Sequence, residues 1–481
     1  MKLHYFLKNN NKNNISMTQV ATKTLRDNVG VRWLVLILIS LTMFFAYMFV
    51  DVLSPLKTML DEQVQWSSKT FGLYAGSEFF LNVFVFFLIF AGIILDKMGV
   101  RFTAILSGSL MVIGAGIKVY ALSNAFLGSS LYTWLNSWWI AFPATAKLAS
   151  LGFMIFGCGT EMAGVTVSRA IVKWFQGKEM ALAMGIEMGV ARLGVFAVFW
   201  VSPFLANRFS SVQTPVFFVF FLLCVGLLFY LIYGIFDKKL DQQQKNAVVE
   251  EEEPFHFKDL GKVFGSGIFW VVALLCVLYY SAIFPFQRFA TEMLQSKLGW
   301  EPDFASKIFS FFPIGAMAIT PFLGAFLDHK GKGATMLIMG SILMIVCHTV
   351  FAIFPFGLVG HNVAAVVAFV AIILLGISFS LVPAALWPSM PKLIDNKVLG
   401  SAYSATFWVQ NVGLMSVPII IGTVLDGIRK NLPADAPEES VYTLPMLIFA
   451  SFGVAALILS LYLKSIDKKR GYGLELPNIK K

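Results

Sequence analysis

Two charged residues, Glu161 and Arg192, lie inside long apolar stretches of the sequence. A charged side chain near the centre of a bilayer costs roughly 2.5–3.5 kcal/mol on insertion scales, so its presence needs a physical reason. The polar turn at residues 174–178 lies midway between the two. A helical rise of about 1.5 Å per residue therefore puts each about 20 Å from that turn. An acid and a base at equal depth on adjacent antiparallel helices could bind a zwitterion, such as a short peptide or an amino acid.

Other interpretations of this pair stay open. Glu161 and Arg192 could form a structural salt bridge that contacts no ligand, or could bond to each other only while a site is empty. In a further alternative, Arg192 binds the carboxylate of an organic anion and Glu161 carries a proton. A substrate with a blocked amino group would separate these alternatives.

The elements that must position this pair are membrane helices. The 481 residues are 58% hydrophobic and 13% charged, with a mean hydropathy of +0.76, whereas soluble domains have about 25% charged residues. Apolar blocks of about 18 or more residues are typical of transmembrane helices. This pattern excludes a soluble enzyme and a disordered chain, and argues against a β-barrel. Twelve spans are predicted, at residues 33–53, 71–95, 102–122, 148–172, 180–206, 215–236, 265–290, 304–327, 334–356, 363–390, 400–425 and 442–463.

A polar stretch, residues 237–263, divides the spans into two sets of six and contains the acidic run 250–253. The sequence therefore predicts an N-terminal half at 1–236, a linker, and a C-terminal half at 264–481. The expected fold is an all-α membrane protein made of two six-helix bundles related by pseudo-twofold symmetry.

The distribution of basic residues predicts the orientation. Of the 37 lysine and arginine residues, 26 fall in the tails, the linker and the loops on one side, and 6 fall in the opposite loops. Basic residues favour the cytoplasmic side, so both termini and the linker are expected there. The loop 123–147 on the opposite side carries Trp134, Trp138 and Trp139, and such residues are typical of the membrane–water interface.

A short motif recurs in the two predicted halves. One constant offset along the chain pairs Gly92, Asp96 and Gly99 with Gly324, Asp328 and Gly331. Glycine permits a tight turn and a close helix approach, and Asp96 with nearby cations could latch helices together half a membrane away from a central site. Parallel six-span repeats are the design of rocking transporters. The predicted gating residues are Gly92, Asp96, Lys97, Gly99, Arg101 and Asp328.

The second half offers no charges that match the pair. Aligning Gly194 with Gly413 places Arg192 opposite Asn411 and, by the same offset, Glu161 opposite Ser380. We therefore expect a second cavity wall that is polar but neutral, and suited to a peptide backbone. Three aromatic residues are predicted to face the same cavity, where they could contact variable side chains or belong to the core: Tyr280, Phe286 and Trp387.

Asp51 and Glu78 lie toward the outer ends of the first two spans. They could form an outer gate or a proton site, or they could be ordinary hydrogen-bonded acids at helix ends. The four cysteines fall inside apolar spans without metal or redox spacing, so we expect no metal site and no cofactor.

The motif at residues 92–101 resembles the signature loop of the major facilitator superfamily. Within that superfamily, five stretches taken in order resemble the lysosomal dipeptide transporter branch, the group named major facilitator superfamily domain-containing protein one: residues 174–179, 191–194, 279–286, 385–388 and 410–414. The resemblance covers most of the chain. It implies transport of short peptides by alternating access, with Glu161 and Arg192 matching the family's binders of the peptide amine and carboxylate.

Three differences from the animal members favour a bacterial inner-membrane relative. The chain has an extra Trp-rich outer loop, no acidic dileucine signal in the N-terminal tail and no glycosylation sequon in any outer loop. We expect a monomer in a lipid bilayer that takes a small-molecule substrate and no nucleic acid. Dipeptide uniport is the favoured function; the rivals are a proton-coupled organic-anion porter and a non-transporting sensor or scaffold. An enzyme is not expected.

Overall fold

A chain confined to lipid must satisfy its backbone hydrogen bonds internally, which favours helices. The structure, a computed structural model, describes residues 24–243, 260–395, 398–433 and 437–477, and these ranges contain helices and no strands. The helices before residue 244 are α1 (Val29–Asp51), α2 (Lys57–Val64), α3 (Ser68–Ser77), α4 (Phe80–Phe84), α5 (Phe87–Ala121), α6 (Asn124–Leu127), α7 (Ser130–Asn136), α8 (Ala144–Phe175), α9 (Met180–Phe209) and α10 (Gln213–Gln243). Those after residue 259 are α11 (Leu260–Phe264), α12 (Gly267–Leu298), α13 (Pro302–Phe309), α14 (Phe311–Lys330), α15 (Gly333–Ile353), α16 (His361–Leu393), α17 (Leu399–Asn431) and α18 (Thr443–Arg470).

Eleven helical stretches in the described ranges are long and apolar enough to cross a membrane. One of them is α5, which Gly99 divides into two helices because its backbone is not helical there (φ 78°, ψ 167°). Counting α5 as two helices accounts for the twelve predicted spans. The second span, predicted as one helix at 71–95, is instead built from α3, α4 and the first part of α5, with Phe86 in a left-handed conformation (φ 55°) between them.

The predicted linker is partly helical. Helix α10 continues to Gln243, past the predicted end of its span, and Asp237, only 1% exposed, accepts a hydrogen bond from Trp174 Nε1 (3.2 Å). The short helix α11 begins at Leu260. The acidic run 250–253 lies outside the described residues, and the division into halves at this linker stays a prediction.

We call the end of the bundle at which α8 ends and α9 begins the basic end, and the opposite end the far end. The helices of the first set meet at the basic end through ion pairs that include Asp27–Lys178 (3.1 Å), Arg32–Glu179 (2.9 Å), Lys173–Asp237 (2.8 Å), Arg169–Asp96 (3.3 Å) and Arg101–Asp241 (3.7 Å). Hydrogen bonds from Thr24 and the pairing with Lys178 lower the pKa of Asp27 to about 2, so its carboxylate is ionised at physiological pH.

At the far end, helices of the two sets pack so closely that their backbones are in contact. A Cβ atom at Gly72 would collide with the carbonyl of Pro418, and one at Gly422 would collide with the carbonyl of Ser68. Small residues of this kind allow close helix packing in membranes. Asp426 then accepts the backbone N–H of Ser68 (2.8 Å) at the first turn of α3, so α3 and α17 are held together where the far end closes.

The Trp-rich segment lies between α5 and α8 at the far end. It folds into the short helices α6 and α7, and Trp134, Trp138 and Trp139 are 60%, 45% and 54% exposed. The Lys147 ammonium lies 4.4 Å from the centre of the Trp138 ring and donates to the carbonyl of Leu135 (2.5 Å). These contacts fix the segment on α8 while its indole rings face outward.

Candidate functional site

A cavity of about 730 Å³ lies between the two sets of helices. At the basic end its lining includes Asp96, Arg169 and Ser404, and toward the far end it includes Glu78 and Arg288. Walls come from α1, α3, α5, α8 and α9 on one side and from α12 and α17 on the other. The cavity therefore opens toward the basic end and stops where the two sets meet at the far end.

Glu161 lines this cavity from α8. Its carboxylate makes no hydrogen bond and no ion pair with any residue of the described ranges, and the side chain is half-buried. Tyr47 of α1 lines the same space and is 36% exposed. Glu161 is thus an unpaired acid presented to a water-accessible cavity, which leaves it available for a cationic group.

Arg192 lies on α9 but is not among the residues that line the cavity. Its Nη1 donates to Thr320 Oγ1 (3.3 Å) on α14, and its guanidinium carbon lies 5.5 Å from the centre of the Phe379 ring. Thr320 is in turn 3.2 Å from Ser380 Oγ, which donates to the carbonyl of Ala316. Arg192 therefore contacts the second set of helices and is not paired with Glu161, so the structural salt bridge between them is not formed.

The aromatic residues of the second wall separate into two groups. Tyr280 lines the cavity, and Trp387 supports it from behind by donating from Nε1 to Tyr280 Oη (3.3 Å). Phe286 was predicted to face the cavity, but the structure places it in the core. It is fully buried and packs against four rings: His348, Phe309, Phe351 and Phe449.

Asn411 is also buried, with 1% exposure, and its Nδ2 has no hydrogen-bond partner in the described part of the chain. The preceding residue, Gln410, is the one that lines the cavity, and its Oε1 lies 3.2 Å from Cys276 Sγ. Asn411, the residue that the repeat pairs with Arg192, therefore does not line the cavity, whereas its neighbour Gln410 does.

The expectation of a neutral second wall is wrong, because Arg288 on α12 lines the cavity. This residue is 8% exposed. It pairs with both acids that were predicted near the outer ends of the first spans: Nη2 lies 2.7 Å from Glu78 Oε2, and Nη1 lies 3.2 Å from Asp51 Oδ1. Asp51 also accepts from Gln287 Nε2 (2.6 Å). The two acids are therefore bonded across the two sets of helices at the far end, and their assignment to an outer gate stays a prediction.

Sequence reasoning missed a second polar cluster beyond Arg288, which we call the far-end seam. Its centre is Glu292 of α12, which accepts from Arg429 Nη2 (2.8 Å) and Tyr442 Oη (2.5 Å) and pairs with Lys57 Nζ (3.4 Å). Lys57 belongs to α2 and is 1% exposed. The sequence feature that could have revealed this cluster is Glu292, an acid one helical turn after Arg288. It lies on a helix that continues past the predicted span end at residue 290.

The predicted gating residues lie at the basic end. Gly92 and Asp96 line the mouth of the cavity, so Asp96 is closer to it than expected. Lys97 is exposed and forms no ion pair with the described residues. Arg101 pairs with Asp241. In the second copy of the motif, Asp328 is half-buried and Gly331 has a positive φ (72°), like Gly99.

Replacing Asp96 with alanine should slow transport without abolishing binding. The Asp96–Arg169 pair (3.3 Å) is more than one-third exposed on both sides and so contributes at most about 1 kcal/mol to one conformation. We expect a turnover change of roughly fivefold and a substrate affinity within a few-fold of the wild type, measured in proteoliposomes. Lys239→Ala is the control, because Lys239 is an exposed charge at the same end, lies outside the predicted gating set and forms no ion pair with the described residues. A large loss of equilibrium binding at unchanged turnover would contradict the gating role.

A cavity between two sets of membrane helices, open at one end and closed by bonds between the sets at the other, is the architecture of a membrane transporter. The sequence bears this out at the level of the family: residues 39–418 match the Major Facilitator Superfamily. The chain belongs to this superfamily. It is a multi-pass integral membrane transporter of small molecules and not an enzyme.

Curated relatives carry a more specific description. The lysosomal dipeptide transporter MFSD1 of Homo sapiens is 26% identical over 405 residues, covering 82% of this chain and 80% of the relative. MFSD1 of Danio rerio is 27% identical over 407 residues, with 82% and 81% covered. A shorter match is the probable anion transporter 2, chloroplastic, of Oryza sativa subsp. japonica, 31% identical over 156 residues, covering 32% of this chain and 25% of the relative.

Solved structures agree on the fold. The D-xylose–proton symporter superposes with a TM-score of 0.65 at 15% identity, covering 89% of this chain and 97% of the symporter. A bacterial homologue of the human lysosomal transporter Spinster, inward-facing and occupied, gives 0.65 at 16% identity, with 90% and 97% covered. At these identities the likeness establishes the major facilitator fold.

Proposed function

We propose that this transporter moves short peptides, most specifically dipeptides, by alternating access. The observation that carries the proposal is the unpaired Glu161 carboxylate on the cavity wall. It offers a binding group for the peptide ammonium, and the similarity to MFSD1 over 82% of the chain supports this substrate class. A cavity of about 730 Å³ with Tyr280 and Gln410 on its second wall suits a small ligand with variable side chains.

In this proposal Arg192 binds the peptide carboxylate in another stage of the transport cycle. Its present partners, Thr320 and Phe379, belong to the second set of helices, whereas Arg192 belongs to the first. Rocking one set against the other changes these contacts and releases the guanidinium. Ser380, bonded to Thr320, lies on the same path.

Uptake into proteoliposomes tests the proposal most directly. A labelled dipeptide should be taken up, and unlabelled dipeptide should compete with it. N-acetylated dipeptide should compete poorly, because it lacks the ammonium that Glu161 binds. A wild-type protein indifferent to acetylation of the amine would overturn the peptide assignment.

A second candidate is an organic-anion porter, which the partial similarity to the rice anion transporter favours. Here a simple carboxylate would compete as well as a dipeptide, and Glu161 would serve as a proton carrier. For the leading candidate we propose uniport, since no histidine that could relay a proton is among the described residues that line the cavity. Accumulation of dipeptide driven by an imposed pH gradient alone would refute uniport.

We propose further that the basic end faces the cytoplasm, as the 26-to-6 distribution of basic residues favours. The Trp-rich segment would then lie at the outer membrane interface. We also propose that the protein resides in a bacterial inner membrane as a monomer. The outer loops without glycosylation sequons support the bacterial location, although the named relatives are lysosomal.

A further inference from the structure

Arg288 occupies the boundary between the cavity and the far-end seam. The residue is 8% exposed and lines the cavity, and its guanidinium carbon lies 5.6 Å from the centre of the Phe153 ring. Nη1 donates to the carbonyl of Val50 and to Asp51 Oδ1 (3.2 Å), and Nη2 donates to Glu78 Oε2 (2.7 Å). A guanidinium holds carboxylates through a fixed fork of donors, which suits it to exchange one carboxylate for another.

The partners of Arg288 differ in their access to the cavity. Glu78 lines the cavity, whereas Asp51 is 1% exposed and is held by Ser54 Oγ (2.9 Å) and Gln287 Nε2 (2.6 Å). Asp51 is therefore a fixed anchor for one side of the guanidinium. Glu78 has Arg288 as its hydrogen-bond partner in the described ranges, so it is the carboxylate that a ligand can replace.

Arg288 is also the first of three polar residues on one face of α12 that bond to the first set of helices toward the far end. Residues 288, 292 and 295 follow the i, i+4, i+7 spacing of one helix face. Glu292 pairs with Lys57 (3.4 Å), and Gln295 Oε1 accepts from Thr58 Oγ1 (3.1 Å). Every one of these bonds joins α12 to the first set of helices. Arg288 therefore shares one face of α12 with the contacts that hold the far end shut.

We propose that Arg288 is a carboxylate-binding residue of the transport cavity, at which the carboxylate of the substrate replaces Glu78 and weakens the far-end closure. In the conformation open to the basic end, Arg192 is turned toward Thr320, and Arg288 is the buried guanidinium that faces the cavity. The ligand class is a carboxylate, here the C-terminus of a short peptide. The inference rests on the proposed function and deepens it, because it assigns the other end of the substrate in this conformation.

The substitution Glu78→Gln tests the exchange. It keeps the shape of the side chain but leaves one side of Arg288 without its negative partner, so a substrate carboxylate would bind without competition. We expect the ratio of the Kd for a C-amidated dipeptide to the Kd for the free dipeptide to rise on the order of tenfold, measured by equilibrium binding in nanodiscs. The control is Glu187→Gln, which removes a half-buried carboxylate of α9 that lies outside the cavity lining.

A second variant guards against a purely structural effect. Arg288→Lys keeps the positive charge but loses the fork that reaches Glu78 and Asp51 together, so the same ratio should fall below that of the wild type. Lower thermal stability in both variants with an unchanged ratio would overturn the proposal. The proposed function fails separately: in that case the wild type binds neither dipeptide, whatever the variants do.

Discussion

Replacing Glu161 with glutamine should abolish the preference of this transporter for a free amino group. An unblocked dipeptide should bind on the order of a hundredfold more weakly, because its buried ammonium loses the carboxylate that balances it. The N-acetylated dipeptide, which binds poorly to the wild type, should change little. Equilibrium binding of the two ligands to wild type and variant measures the effect, and preference among side chains should persist because the second wall sets it.

The matched variant is Arg192→Ala, which should reduce discrimination between free and amidated C-termini in transport while leaving discrimination at the N-terminus intact. Glu187→Gln serves as the control for a membrane carboxylate outside the cavity lining. Under the organic-anion alternative, acetylation of the amine would not impair wild-type transport, and Glu161→Gln would alter the pH dependence instead. Equal losses for blocked and unblocked peptides in Glu161→Gln would contradict the assignment of Glu161 to the amine.

The helical framework was predictable because lipid imposes a simple rule on the backbone: long apolar runs become helices. Helix α8, predicted at 148–172, spans Ala144–Phe175, and α18, predicted at 442–463, spans Thr443–Arg470. Several observed helices extend beyond their predicted spans because polar turns continue the helix outside the apolar layer. Hydropathy detects the layer and not the helix, so α10 continues to Gln243 through residues predicted as linker.

The broken second span shows where local sequence is insufficient. Phe86 has no feature of a helix breaker, yet it adopts a left-handed conformation between α4 and α5. Trp408 Nε1 of α17 donates to the carbonyl of Val83 (2.9 Å), and the Trp408 ring stacks on Phe86 at 5.4 Å. This partner lies in the other predicted half of the chain, and no periodicity within the span encodes it.

The same distinction applies to the site. Glu161 could be placed in the membrane centre from its spacing alone, and the structure has it on the cavity wall. Arg288 was not singled out, since it lies two residues from the end of the predicted span 265–290 and its partners Asp51 and Glu78 lie in the other predicted half. Phe286 is aromatic and lies on the same helix as Tyr280, but its position along that helix turns it to another face, where it packs against His348.

Removing the centre of the far-end seam should open the far end of the transporter. Glu292→Ala leaves Lys57, which is 1% exposed, without its anionic partner, and also removes the acceptor for Arg429 and Tyr442. Breaking a buried pair by removing one partner costs about 3–5 kcal/mol. Because Lys57 and Glu292 lie on different sets of helices, this cost falls on the conformation in which the far end is closed. The equilibrium should therefore shift toward the open far end by on the order of a hundredfold or more.

A thiol in the cavity reports this shift. With the native cysteines replaced, Thr160→Cys places a thiol on the cavity lining beside Glu161, and a membrane-impermeant reagent added from the far-end side should label it much faster in Glu292→Ala. Asp303→Ala is the control. The Asp303–Lys307 pair lies at the same end but within one helix, and it is about one-third exposed. Its loss should therefore change the labelling rate little. Glu292→Gln, which keeps the hydrogen-bonding shape, should give a smaller shift in the same direction. Labelling from the far end that stayed slow in Glu292→Ala, with the protein still folded, would contradict this prediction. In that case the close backbone packing of α3 against α17 would keep the far end closed without the far-end seam.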